Sequence, residues 1–151
     1  MSTTAFAPNS TSAPKTSGQV ITSSANNLNG FNTTTGLWLS SGAVDCIDYS
    51  TLTLMVTFTG NDAATAGVQI YMETSDDGVT WYEEVEEDGA GVTTFDELAP
   101  RYRRCAGTNG NTNRYQINIP VIASYFRISA QERGDCANGG TLDIAYVMGS
   151  A

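Results

Sequence analysis

Two charged strings hold the chain's densest chemistry. Glu83, Glu84, Glu86, Glu87 and Asp88 gather five carboxylates, and the only basic cluster, Arg101-Tyr102-Arg103-Arg104, follows shortly after. Crowded carboxylates suit a divalent cation or the arginines of a partner. A solvated loop is the first reading, because exposed neighbouring carboxylates repel by only about 1 kcal/mol per close pair in water. Calcium through Asp76 and Asp77 lacks the spaced acidic loop and distal Glu that such a site requires, so no metal site is expected. Arginine forms two-pronged bonds with carboxylates and is enriched at interfaces. For Arg101, Arg103 and Arg104, pairing with the acidic run and pairing with a neighbouring molecule stand side by side. Asp96 and Glu97 are adjacent carboxylates, but a glycosidase needs its pair about 5–10 Å apart across a cleft, and nothing in the sequence builds one. The chain has no histidine, which removes the usual general base and the commonest zinc ligand. It has no phosphate-binding loop, no G-x-S-x-G and no Cys–His pair. No catalytic residue, cofactor or enzymatic activity is expected.

Whole-chain arithmetic points the same way. In 151 residues there are 16 acids against 7 bases, a net charge of −9, with 40% of residues apolar and 15% charged. That is one globular domain, or one domain with an appendage. The charge disfavours nucleic acid and anionic membrane surfaces, both of which need clustered Lys and Arg. Cys46, Cys105 and Cys136 are odd in number and widely spaced, which reads as reduced, buried thiols. No run reaches the roughly 18 apolar residues of a membrane span, and the first residues lack the pattern of a signal peptide. The expectation is a soluble protein made in a cytosol.

The elements that must position these residues are strands. Thr51–Thr59 alternates perfectly, with Leu52, Leu54, Val56 and Phe58 on one face and threonines on the other. Residues 67–73 bury Val68, Ile70 and Met72. Asp77-Gly78 then reads as a two-residue hairpin turn with both residues at positive φ, leading into a strand over 79–83. In that alternation Trp81 points inward with Val79 and Tyr82 outward, leaving Tyr82 as the one sugar-stacking candidate. Further strands fall at 114–119, 124–129 and 141–147, with a short helical turn possible near Phe95–Leu98. The fold expected is all-β: an antiparallel, jelly-roll-like β-sandwich over residues 41–151.

Residues 1–40 differ. Ser, Thr, Asn and Gly make up 23 of them, and Lys15 is the only charged side chain. A segment with so little to bury does not offset its ordering entropy of roughly 1–2 kcal/mol per residue, so an extended arm is expected. Phe6, Val20, Ile21, Phe31 and Trp38 sit along it as anchors for another surface.

The string Ser75-Asp76-Asp77-Gly78-Val79-Thr80-Trp81, the Tyr125-Phe126-Arg127 strand and the closing Gly140-Thr141-Leu142-Asp143-Ile144-Ala145 strand resemble β-sandwich virion proteins of tailed bacteriophages, over roughly residues 42–148. Discoidin-like carbohydrate-binding modules carry similar strings. In both, the resemblance implies that Asp77 and Gly78 make a turn and that Trp81 fills the core. It implies a virion part, most simply a capsid decoration protein located on the virion, with head-fibre, collar or tail accessory proteins and a glycan-binding module as alternatives. The partners expected are the major capsid protein or other virion proteins and a homo-oligomer, trimer first. The contact residues expected are Phe6, Val20, Ile21, Phe31, Trp38, Arg101, Arg103 and Arg104.

Overall fold

The structure, a computed structural model, describes residues 15–22, 28–87 and 98–150. Twelve strands are found among them: β1 (Lys15–Ile21), β2 (Leu39–Ser40), β3 (Val44–Asp45), β4 (Thr51–Thr59), β5 (Gly67–Ser75), β6 (Tyr82–Glu83), β7 (Val85–Glu87), β8 (Leu98–Pro100), β9 (Arg103–Cys105), β10 (Thr112–Pro120), β11 (Tyr125–Arg133) and β12 (Thr141–Gly149). The first sheet runs β1-β12-β4-β10 and the second β2-β11-β5-β6. β3 also pairs β11, and β9 also pairs β5. β7 and β8 form a separate ribbon.

The pairing has a simple rule. β2 and β3 meet β11 at separate stretches, so they act as two pieces of one strand position. β9 and β6 likewise divide one position along β5. Counted this way there are eight positions: the first pairs the last, the second the seventh, the third the sixth and the fourth the fifth. A single antiparallel ribbon has been folded over, and the β12–β4 and β11–β5 ladders join its turns into two sheets. That is the jelly-roll-like β-sandwich expected from the alternation.

The core lies between the sheets. Leu52, Leu54, Val56 and Phe58 of β4 and Leu142, Ile144 and Met148 of β12 meet Val68, Ile70 and Met72 of β5 and Phe126, Ile128 and Ala130 of β11, all buried. The strict period of two in these strands dictates this, because one residue's slip in register would turn every apolar side chain to water. One carboxylate shares that interior. Glu132, at the end of β11, is fully buried and accepts hydrogen bonds from the Thr65 hydroxyl (2.8 Å) and the Gly140 N–H (2.9 Å). Its own N–H donates to the Phe31 carbonyl and its carbonyl accepts from the Thr33 N–H, so it ties three loops to one strand. All three cysteines are free and buried. Burial pushes the Cys46 thiol up to about 11, with Asp45 adding to the effect.

Several expectations are corrected. Residues 15–21 are an edge strand on β12, Ile21 is 1% exposed and Leu28 is fully buried, so both belong to the chain's own core. Ile21 is therefore not an anchor for another molecule. Val20 and Phe31 are half-buried against that core. The strand over 79–83 shrinks to Tyr82–Glu83, and Val79 is 81% exposed. Trp81 does not fill the core; it lies half-buried outside the sandwich, under Arg127. Only Gly78 takes positive φ (+73°) in the turn. Asp77 instead accepts hydrogen bonds from the N–H groups of Val79 (2.8 Å) and Thr80 (2.7 Å) and from the Ser75 hydroxyl (3.0 Å). Asp side chains readily mimic a turn in this way, and these donors hold its carboxyl down to about 2. Phe6, Asp88, Asp96, Glu97 and the turn proposed near Phe95 lie outside the described residues, except Leu98, which opens β8.

Candidate interaction surface

The outer face of the second sheet is where side chains with binding chemistry collect. Along β5 and β11 the residues that alternate with the core side chains lie on the outer face in facing rows, Gln69 with Gln131, Tyr71 with Ser129, and Glu73 with Arg127, and of these Gln69, Ser129 and Gln131 are covered by other residues and buried. The Gln69 amide donates to Gln131 (2.7 Å), and the Gln131 amide in turn donates to the Leu37 carbonyl (3.1 Å) and the Asn32 carbonyl (3.3 Å). Those bonds fasten residues 32–38 across the sheet and set Trp38 beside Tyr71, edge to face, with ring centres 5.0 Å apart. From the opposite edge Tyr102 stacks on Trp38 at 5.6 Å and 16°, and the Arg104 guanidinium stands 6.0 Å from the Tyr102 ring. Trp38, Tyr102 and Arg104 thus form one continuous pile resting on Tyr71. Trp38 and Tyr71 are half-buried, Tyr102 is 36% exposed and Arg104 is exposed.

A second group lies along the same face. The Arg127 guanidinium sits 4.3 Å above the Trp81 ring, and its Nε donates to Glu73 (2.6 Å). A cation over an indole face is attracted by the ring's quadrupole, and the carboxylate fixes where the cation lies. Hydrogen bonding to Glu73 raises the affinity of Arg127 for its proton. Tyr82 is 66% exposed, but it pairs with Thr74 in the β5–β6 ladder and so lies on the opposite side of the sheet from Glu73, the reverse of the alternation expected for it and Trp81.

The charged strings meet each other. Arg103 grips Glu84 with two prongs, at 2.6 and 2.9 Å, and Arg101 bonds the same carboxylate at 3.2 Å and approaches Glu86 at 3.7 Å. Burial pushes the Glu84 carboxyl up, but the hydrogen bond and charge of Arg103, helped by Arg101, outweigh it and leave the carboxyl below its usual range. Of the two readings open for these arginines, the internal one is found for Arg101 and Arg103. Arg104, on the other side of β9, faces out with Gln69. Among the described residues, no three His, Cys, Asp or Glu side chains are grouped to hold a metal ion.

Of the residues expected at an interface, the structure therefore unites Trp38 and Arg104 on one surface. It uses Arg101 and Arg103 to brace the β6–β9 edge, and it puts Ile21 inside. Tyr71, Glu73, Tyr102 and Arg127 were not singled out from the sequence as surface-forming residues. The signal was present in the alternation of β5 and β11, which sends Tyr71, Glu73 and Arg127 away from the core.

No family model matches the chain, and no curated protein matches it. Solved structures share its fold. A chain of the T13 infectious bursal disease virus particle matches with a TM-score of 0.54 at 9% identity, over 90% of this chain and 31% of that one. The VP2 subviral particle of the same virus matches with a TM-score of 0.53 at 6% identity, over 93% of this chain and 33% of that one. The SPBc2 prophage-derived protein YomS aligns along 93% of this chain and 96% of its own, at 13% identity and a TM-score of 0.44. This chain spans about a third of the viral chains it matches.

Proposed function

We propose that the protein is a non-enzymatic structural component of a tailed-bacteriophage virion, and that it decorates the assembled capsid shell. The observation that carries this reading is the folded-ribbon sandwich formed by the described residues, which has viral-particle chains among its structural relatives. The resemblance of the Ser75–Trp81 hairpin and the 140–145 strand to phage virion proteins supports it. So does the surface built by Trp38, Tyr71, Tyr102 and Arg104, whose composition of aromatics and arginine is that of protein interfaces. In this reading residues 1–14, with Phe6, reach onto the shell, and the aromatic face of the second sheet seats the sandwich. Repetition over a symmetric shell multiplies modest contacts. The acidic exterior keeps coated particles apart.

The test uses particles of the encoding phage that lack this chain. Purified full-length protein is added back and co-sedimentation is measured. Deleting 1–40 would remove Ile21, Leu28 and Leu39 from the core, so the informative truncation is residues 1–14. The reading expects the parent to saturate the particles, and both the truncation and a Trp38→Ala/Arg104→Ala variant to lose most occupancy while staying folded. Full occupancy by both variants, or no binding by the parent, rejects it.

A glycan-binding reading rests on Tyr82, whose ring is 66% exposed at the β6 edge. It separates cleanly: a glycan array positive for the parent and blank for Tyr82→Ala supports it, and a blank array for the parent removes it.

A further inference from the structure

We infer that the free edge of β10 is a self-association site, at which a second copy of this chain pairs antiparallel about a two-fold axis through Gln116. The two sheets have four edges between them. In the second sheet both edges are broken into pieces of two or three residues, β2 with β3 and β6 with β9. At the far side of the first sheet, β1 carries Lys15 and an irregularity between Gln19 and Ile21. Short pieces, charged side chains, proline and bulges are the devices that keep edges from pairing with other chains. β10 is neither short nor bulged, and of these devices it carries only Arg114 and, at its last residue, Pro120. It is nine residues long, pairs β4 without interruption, and among the described residues has no strand on its other side.

The hydrogen bonds at its two ends say which backbone groups face away from β4, where no described residue pairs with them. The Val121 N–H donates to the Ser50 carbonyl (2.9 Å), and the Gly60 N–H donates to the Asn111 carbonyl (3.3 Å), both in the register of the ladder. In an antiparallel pair the bonded residues alternate. Residues 111, 113, 115, 117, 119 and 121 therefore face β4. The N–H and C=O groups of Thr112, Arg114, Gln116 and Asn118, with the C=O of Pro120, face outward. Pro120, which has no N–H, falls on this outward set, where a strand tolerates proline.

A row of spare donors and acceptors is matched by another extended backbone. Charge selects the same chain. Two molecules each carrying −9 repel, yet no acid occurs between Glu97 and Glu132, and β4 and β10 together carry one charge, that of Arg114. Two copies meeting here bring no carboxylate of β4 or β10 against one another. Centring the pair on Gln116 overlaps all nine residues and sets Arg114 opposite Asn118, keeping the two arginines off each other. Gln116 meets Gln116, and Thr112 meets Pro120 at the ladder's ends. The two first sheets become one continuous sheet of eight strands.

The experiment has two arms. Sedimentation equilibrium of the full chain over a concentration series expects a monomer–dimer equilibrium reaching twice the 16.0 kDa chain mass. Gln116→Pro, which removes an outward N–H without touching the β4 ladder, shifts that equilibrium at least tenfold toward monomer. The second arm is disulfide trapping, suited to the bonded-pair Cα separation of about 5.5 Å. Oxidised Gln116→Cys gives a covalent dimer. Arg114→Cys alone gives none, whereas an equal mixture of Arg114→Cys and Asn118→Cys does. A strictly monomeric parent, a trimer, or trapping by Arg114→Cys alone overturns the proposal. Should Gln116→Pro fail to fold, the trapping arm decides by itself.

Discussion

Replacing Ile21 with alanine measures whether the polar N-terminal segment belongs to the sandwich. Ile21 is 1% exposed, at the end of an edge strand whose other residues are exposed or half-buried. The substitution removes three carbons. At about 0.8 kcal/mol per buried CH₂ the transfer loss is about 2.4 kcal/mol, and the residual cavity carries the total to about 3–5 kcal/mol. For a domain of this size each kcal/mol moves Tm by about 2–4 °C, so a fall of roughly 6–20 °C is expected in calorimetry. Val20→Ala, at a half-buried neighbour, is the internal control and falls by less. If Ile21→Ala melts within a degree of the parent, β1 is not docked, and the segment is the detached tether that its composition suggested.

Three further outcomes follow from the geometry. Glu132→Leu strands the Gly140 N–H and Thr65 hydroxyl in the interior and is expected to cost about 2–5 kcal/mol in chemical denaturation, while Glu132→Gln, whose carbonyl serves Gly140 and whose amide serves Thr65, costs markedly less. Asp77 is held at about 2, below its unfolded value near 3.9, so its hold on the turn is complete above that unfolded value and is lost as pH falls through about 2. The protection factors of the Val79 and Thr80 N–H groups, their exchange rates by NMR relative to the intrinsic rate at each pH, are expected to fall over that window and to be lost at every pH in Asp77→Ala. Glu84→Ala releases Arg101 and Arg103 together, and exchange protection is expected to fall across β6 and β9 while β4 and β12 stay protected.

The alternation of Thr51–Thr59 revealed β4 to the residue, because a strand packed on one face leaves an unbroken period of two. Four other long strands were legible with ends short by a residue to a few: β5 runs on to Ser75, and β11 continues through Ala130, Gln131 and Glu132. The β11 extension was hidden because Gln131 is polar yet buried, held by Gln69 and the carbonyls of Asn32 and Leu37. β1 was illegible for a different reason. Its sequence, Lys-Thr-Ser-Gly-Gln-Val-Ile, gains its order from the β12 ladder and from Ile21, not from a hydrophobic face of its own. Trp81 was misplaced because Asp77 stretches the turn, bringing the ring outside the sandwich to meet Arg127. The Trp38–Tyr102 pile joins residues 64 positions apart, and no local pattern encodes that contact.

The account's central claim is that this chain is part of a virion, and electron cryomicroscopy of particles from the encoding phage tests it directly. The account predicts that the outer surface of the shell carries density fitted by the eight-position sandwich, with the Trp38–Tyr102 face toward the shell and chain from residues 1–14 running along it. Purified particles that contain none of this protein, by mass spectrometry and in the map, would contradict it.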